Sequence, residues 1–357
     1  MLFLKLVTCL FTVCPRSQTD RCTSTATRLN DAVVPMTVRT VDKSKYDALI
    51  TWLRSKDADV SDKIFIRQSS FGNGCGAFVS EEVNEGDLLF SVPRDACVTM
   101  EDVTTDPACG KSFSLAIEEV GPGGNTVVMA AYLAKEYLLS LEREVEFGPY
   151  LQTLPWERGI NNQEHVLFWS DRDIDALRGS FCYDDVNILR SDIAWASEFV
   201  NGVVGNSVRI TRGETEHGFR WPWEISPVEG VESSVRGAFV SLLTRAFTDG
   251  NGDEKLVPLL DMCQHTKEGN IRYAKRTDNG TVEVRARRTI APGEELLAQY
   301  RSEDDENMPR HRFFTRFGFI PGNMEPIENL LADRSPIFYP DVEVERTIIS
   351  YPEVVAV

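Results

Sequence analysis

The sequence predicts an α+β fold whose sheet is completed by strands from two distant parts of the chain. Three observations carry this. Residues 63–92 and 256–300 read as short strands broken by Gly and Pro turns, while 111–246 between them is mainly helical. The length of 357 residues suits two domains, or one domain with a large insert. A content of 42% hydrophobic and 26% charged residues supports a core of ordinary size and excludes a chain dominated by disorder.

The elements follow in order. Residues 2–14 are apolar apart from Lys5 and resemble the core of a signal peptide, too short to span a bilayer. Arg16, Arg21 and Arg28 follow among Ser and Thr, a transit-peptide composition, so residues 1–40 are expected to be a leader. Import into a plastid bounded by extra membranes suits that order; a cytoplasmic or nuclear protein with a frayed N-terminus is the alternative. No later run is apolar enough for a stable membrane span. Tyr46, Leu49, Ile50 and Leu53 recur at helical spacing, which predicts a helix over 44–55. Ile64 and Ile66 share one face of a strand at 63–67, and strands follow at 77–79 and 88–92, the last stopped by Pro93. A long helix is expected from Asn125, as its cap, to Arg143, with further helices at 187–201 and 229–247. Strands return at 256–257, 271–273 and 281–287, then a Pro292-Gly293 turn leads through Leu296-Leu297 to Tyr300. A final helix at about 309–317 ends at Gly318.

Charge and cysteine usage narrow the function classes. The net charge of −17 disfavours nucleic acid unless one face is locally basic, and makes a basic protein or peptide the easier partner. The 8 cysteines include no CxxC pair, so zinc-finger and thioredoxin-type sites lack their ligands and the thiols read as free. No metal is expected, since His165, His217 and His311 lie far in sequence from His265. No Gly-x-Ser-x-Gly, no His-Glu-x-x-His and no plausible Ser/His/Asp set is present.

Four motifs carry candidate chemistry, each with a plainer reading. Gly72-Asn73-Gly74-Cys75-Gly76 lets a backbone approach a ligand or simply makes a turn, and because a strand follows it, dinucleotide and triphosphate loops are disfavoured. Leu256 to Leu260 is an apolar run ending in Asp261-Met262-Cys263-Gln264-His265, which either meets a polar ligand or turns a corner. Pro292-Gly293-Glu294-Glu295 leads by a short strand to Tyr300, by itself a core aromatic with its hydroxyl at the rim. Phe313-Phe314-Thr315-Arg316-Phe317-Gly318-Phe319 suits a helix end on a core, or an aromatic-lined pocket.

In this succession, with Thr244-Arg245-Ala246-Phe247 between the first and second, the motifs resemble a SET-domain protein methyltransferase over about residues 60–320. The sequence is most similar to the Rubisco large-subunit lysine methyltransferase group, which also contains the actin histidine methyltransferases. The most specific piece is Asp261 to His265, where that family has Asp-x-x-Asn-His. The resemblance implies a SET fold of short twisted sheets with a knot-like crossing. Its N-terminal part would span 41–100, a helical insert 101–230 and its C-terminal part 231–320, with 321–357 as a short tail. It implies S-adenosylmethionine as cofactor and a protein bearing a target lysine as partner, with the chain acting as a monomer. Asn73, Gly74, Cys75 and Gly76 would face the cofactor by their backbones, Arg245 its carboxylate, and Gln264 and His265 its adenine side. Tyr300 would be catalytic. Phe247, Asp261 and Phe317 would shape the substrate channel, and Phe319 would border both channel and cofactor.

The chemistry agrees with the residue types. Methyl transfer from a sulfonium is an in-line displacement that needs alignment and a neutral amine. A lysine, with a reference pKa of about 10.4, is charged at neutral pH until an apolar channel lowers that value. Three departures accompany the resemblance: Gln264 replaces the family's Asn, Phe317 stands where plant members often carry Tyr, and only 321–357 follow where plant members carry a helical substrate-holding domain. A histidine methyltransferase of the same fold and a SET-fold binding module without turnover remain as alternatives.

Overall fold

The computed structural model describes residues 42–71, 74–121, 123–162, 164–202, 229–248, 254–276, 278–300, 308–320 and 330. Asn73, the leader, the Trp221–Trp223 stretch and nearly all of the tail lie outside the described residues.

Helix α1 (Lys43–Ser55) starts where the Asp42 side chain accepts from the Ser44 amide, and buries Tyr46, Leu49 and Leu53 as their spacing requires. Strand β1 (Asp59–Val60) precedes the hairpin of β2 (Ile64–Gln68) and β3 (Cys75–Val79), paired from Ile64 opposite Val79 to Gln68 opposite Cys75. β4 is Leu88–Val92 and β5 Val98–Thr99. The helical stretch then holds α2 (Met100–Thr104), α3 (Gly110–Val120), α4 (Gly124–Ser140), α5 (Gly148–Leu151), α6 (Asp171–Asp175), α7 (Phe181–Val200) and α8 (Val231–Arg245). Strands return as β6 (Ala246–Thr248), β7 (Glu254–Leu256), β8 (Gln264–His265), β9 (Ile271–Lys275), β10 (Val282–Ala286) and β11 (Leu297–Ala298), before α9 (Arg310–Phe317).

Distant parts of the chain do complete the sheets. One has the order β1-β4-β10-β9, another β5-β7-β6, and β8 pairs with β11 in parallel. Three expected boundaries need correction. α4 is not capped by Asn125: the cap is Gly123, two residues earlier, with a left-handed φ of 89°. α7 begins at Phe181 because Ser180 accepts from the Tyr183 amide, a cap hidden before the apolar period starts. α8 stops at Arg245, where Ala246 turns extended, so Phe247 sits on a strand opposite Lys255.

The main core runs from α1 through both sheet halves to α4 and α8. α8 approaches closely where it has no side chain: a Cβ on Gly237 would lie 2.6 Å from Cα of Trp156, whose ring stacks on Tyr137. The described cysteines, Cys75, Cys97, Cys109, Cys182 and Cys263, are buried and scattered through the core rather than paired with one another.

Candidate active site

The site is built where segment 294–300 passes between two other strands. On one side the Val79 amide donates to the Glu294 carbonyl (3.1 Å), and the Leu296 amide to the Ala77 carbonyl (2.7 Å). On the other, Leu297 lies beside Gln264 and Ala298 beside His265. Asn270 is 1% exposed and pins the passage with both ends of its amide: Nδ2 donates to the Glu295 carbonyl and Oδ1 accepts from the Leu297 amide, each at 2.7 Å. This is the crossing that the motif order implied.

Behind the glycine turn lies Glu295, 4% exposed. Its Oε2 accepts from the Ser70 amide at 2.9 Å, while Oε1 has no partner among the described residues. A Cβ on Gly76 would fall 2.0 Å from that Oε1, so Gly76 is required by a buried carboxylate rather than by φ. At Gly74 the nearest atom to such a Cβ is Gln264 Nε2, at 3.7 Å, an ordinary van der Waals contact. Gln264 Nε2 donates to the Cys75 carbonyl at 2.8 Å, joining the turn to β8 across the crossing. The Cys75 thiol, its pKa raised by burial, donates to the Tyr46 hydroxyl at 3.0 Å. The amide of Gln264 and the carbonyl of Cys75 thus satisfy each other.

Arg245 and Asp261 meet in the interior. Leu259 turns the chain with a φ of 72°, uncommon for a branched residue, into the short helical turn Leu260–Met262 that carries Asp261. Asp261 Oδ2 accepts from the Tyr150 hydroxyl (2.9 Å) and from Arg245 Nη1 (3.2 Å). Its Oδ1 is buried without a partner among the described residues. Burial pushes the Asp261 carboxyl above its ordinary pKa, with Arg245 and Tyr150 pulling back. Burial also opposes the charge of Arg245, but Asp261, Tyr150 and Tyr46 together outweigh it and the guanidinium stays a cation.

Tyr300 follows β11. Its amide donates to His265 Nδ1 at 3.2 Å, and its hydroxyl donates to the Cys263 carbonyl at 2.8 Å, two residues from Asp261. Burial pushes its pKa well up, so the phenol remains neutral. Its ring lies 5.1 Å from His265 and 5.6 Å from Phe317. Phe313 completes the cluster at 4.7 Å from Phe317, 5.3 Å from Phe319 and 5.9 Å from His265. Phe247 packs edge-on against Tyr273 at 5.4 Å, and it and Tyr300 both pack against the main core. His165 clamps α9 from below: Nε2 donates to the Arg316 carbonyl and Nδ1 accepts from the Leu167 amide, both at 3.2 Å. Burial lowers its pKa to about 4, so the ring is neutral.

Gly74, Cys75, Gly76, Gln264, His265 and Tyr300 therefore converge on one crossing, with Phe317 and Phe319 beside it. Arg245 and Asp261 form a joined pair. Tyr46, Tyr150, Tyr273, Asn270 and Glu295 were not foreseen as site residues. The Glu295 beside Gly293-Glu294 was visible, but nothing local distinguishes a buried carboxylate from a turn charge. The residues suit S-adenosylmethionine in one respect: the half-buried His265 and Phe319 rings, backed by Phe313, offer flat surface of the kind that takes a purine. Among the described residues no group of three or more His, Cys, Asp or Glu side chains could hold a metal.

Comparison with known proteins agrees with this geometry. The model of the SET domain matches residues 74–301. The N-lysine methyltransferase setd6 of Danio rerio is 23% identical over 310 residues, covering 81% of this chain and 58% of that protein. The SET domain of LSMT bound to lysine and AdoHcy superposes with a TM-score of 0.57 at 16% identity, over 78% of this chain and 57% of that one. Rubisco LSMT bound to AdoMet gives a TM-score of 0.54 at 17% identity, with the same coverage. The chain thus spans less than two thirds of the length of these relatives. The match starts at Gly74 and ends just past Tyr300, so it brackets the glycine turn and the tyrosine that the fold brings to one crossing; the chain belongs to the SET-domain family.

Proposed function

We propose that the protein transfers a methyl group from S-adenosylmethionine to the ε-amine of a lysine in a non-histone protein. The observation that carries this reading is the meeting of the Gly74–Gly76 turn, Gln264-His265 and the Tyr300 hydroxyl at one crossing. The names of setd6 and of the LSMT complexes with lysine support the lysine choice.

S-adenosylmethionine, when bound, supplies a methyl group on a positively charged sulfur. The protein's part is to orient, dry and neutralise. The backbone of the Gly74–Gly76 turn would face the cofactor, and His265 with Phe319 would flank its adenine. Phe247, Tyr273 and Phe317 would wall the lysine channel, where burial lowers the amine's pKa and frees its lone pair. Arg245 neutralises Asp261, so that the carboxylate does not hold an arriving ammonium in its charged form. The unpartnered Oδ1 of Asp261 can accept an amine N–H. Tyr300, fixed by its bond to the Cys263 carbonyl, presents its oxygen as a weak acceptor for the polarised methyl, as does that carbonyl.

The test is thermal shift with S-adenosylmethionine, followed by labelled methyl transfer into a whole-cell extract and mass spectrometry of the modified residue. Stabilisation by the cofactor and a methylated lysine are expected. No shift at millimolar cofactor removes the reading in favour of a binding module, and a methylated histidine changes the nucleophile. For the leader, residues 1–40, we propose plastid import on composition alone; N-terminal sequencing of the mature protein from its source cell checks it, and a chain still starting at Met1 would count against cleavage.

A further inference from the structure

The β9–β10 hairpin is electrostatically unlike the rest of the chain. Residues 270–290 hold six basic residues, Arg272, Lys275, Arg276, Arg285, Arg287 and Arg288, against the acids Asp278 and Glu283, in a chain of net charge −17. The register sets Arg272 directly opposite Arg285. Bonds from the Arg276 amide to the Thr281 carbonyl and from the Arg287 amide to the Asn270 carbonyl extend that pairing at both ends. Opposed residues share a face and successive pairs alternate, so Arg272, Arg276, Arg285 and Arg287 lie on one face, while Val282, Val284 and Ala286 are buried on the other. Glu283 on the same face already takes Arg276 and Arg285, and Asp59 of β1 lies two strands away. Arg272 and Arg287 are exposed and have no ion pair among the described residues. Like charges directly opposed on a sheet cost stability, so this pairing is not explained by folding.

The same hairpin reaches the site. Among the described residues β9 is an edge strand, and the bond phase aims the N–H and C=O groups of Tyr273 at that edge. The Tyr273 ring, on the face away from the arginines, meets Phe247 at 5.4 Å. A strand added along β9 would place alternate side chains on the Tyr273–Phe247 side and on the arginine side.

We propose that β9 is the docking strand for the protein substrate. An extended segment pairs with its edge, the target lysine lies on the Tyr273–Phe247 side, and Asp or Glu one or three positions away meets Arg272 and its neighbours. The substrate is therefore acidic around its lysine, although net charge alone favours a basic partner. The inference rests on the methyltransferase reading, and its test keeps the two apart.

The probes are two fluorescent lysine-centred peptides, with Glu or with Ser at the positions one and three residues from the lysine, titrated into the full chain by anisotropy. The Glu peptide should bind about tenfold more tightly, an advantage that salt erodes. The double variant Arg272→Ser, Arg287→Ser should lose that advantage while keeping its melting temperature and its thermal shift with S-adenosylmethionine. A Glu peptide with methylated backbone amides keeps its charge but should bind more weakly, because it cannot add to the edge. Equal binding of the two peptides, an unaffected double variant, or a single-stranded DNA oligonucleotide that outcompetes the Glu peptide overturns the proposal. Charge-dependent peptide binding without any cofactor shift supports docking and removes the methyltransferase reading instead.

Discussion

Replacing Gly76 by Ala inserts one methyl group at the crossing. The new Cβ would lie 2.0 Å from Glu295 Oε1 and 2.9 Å from its Cδ, so the carboxyl group must move. It cannot swing into water, being 4% exposed, and its other oxygen holds the Ser70 amide. Overpacking of this kind costs about 1–3 kcal/mol. Losing the charged hydrogen bond to Ser70 adds about 1.5–3 kcal/mol if the carboxylate rotates away. A total near 3 kcal/mol is therefore expected from urea unfolding. Gly74→Ala is the control: its nearest contact of 3.7 Å is ordinary, and the variant should stay within about 1 kcal/mol of the parent. Adding Glu295→Ala to Gly76→Ala should cost less than the two single changes together, because the side chain that clashes has gone. Cofactor affinity should fall in Gly76→Ala, since Cys75 and Gln264 are joined through the same turn. Equal stability of the two alanine variants, or strict additivity with Glu295→Ala, would refute the argument.

Two further outcomes follow from buried charge. His165 has its pKa lowered from 6.5 to about 4 by burial, so the unfolded chain binds the proton more readily. Its contribution is complete above pH 6.5 and is lost as the pH falls through 4, about 3 kcal/mol in all; urea midpoints across that window should show a slope that His165→Gln lacks, and parallel slopes would count against it. Asp261→Ala leaves Arg245 buried without its partner and should cost about 3–5 kcal/mol, read from the melting temperature; a loss below about 1 kcal/mol would show that the pair is not desolvated.

Periodicity made α1 and β2 readable, because one face of each is buried and the apolar residues mark it. The β8–β11 pairing had no such mark: two residues on each strand are too few for a pattern, and the motif resemblance supplied what spacing could not. Cap chemistry decided the start of α7 at Ser180, outside its apolar period. Within the site, Tyr300 and Gln264 were foreseen because they stand in motifs. Tyr150 and Tyr273 stand in none, and only the fold brings them to Asp261 and Phe247. The Arg245–Asp261 pair shows the same limit, since each residue was read toward a ligand and neither toward the other.

The central claim is that the Tyr300 hydroxyl assists methyl transfer to the lysine amine at this crossing. Tyr300→Phe keeps the ring against His265 and Phe317 and deletes only the oxygen bonded to the Cys263 carbonyl. The decisive measurement is turnover of that variant with labelled S-adenosylmethionine and an unmethylated lysine-bearing acceptor protein, beside calorimetric cofactor affinity and melting temperature. The account predicts a turnover loss of about a hundredfold or more, with affinity nearly unchanged and a stability change of about 1 kcal/mol. A folded Tyr300→Phe protein that turns over like the parent would contradict it.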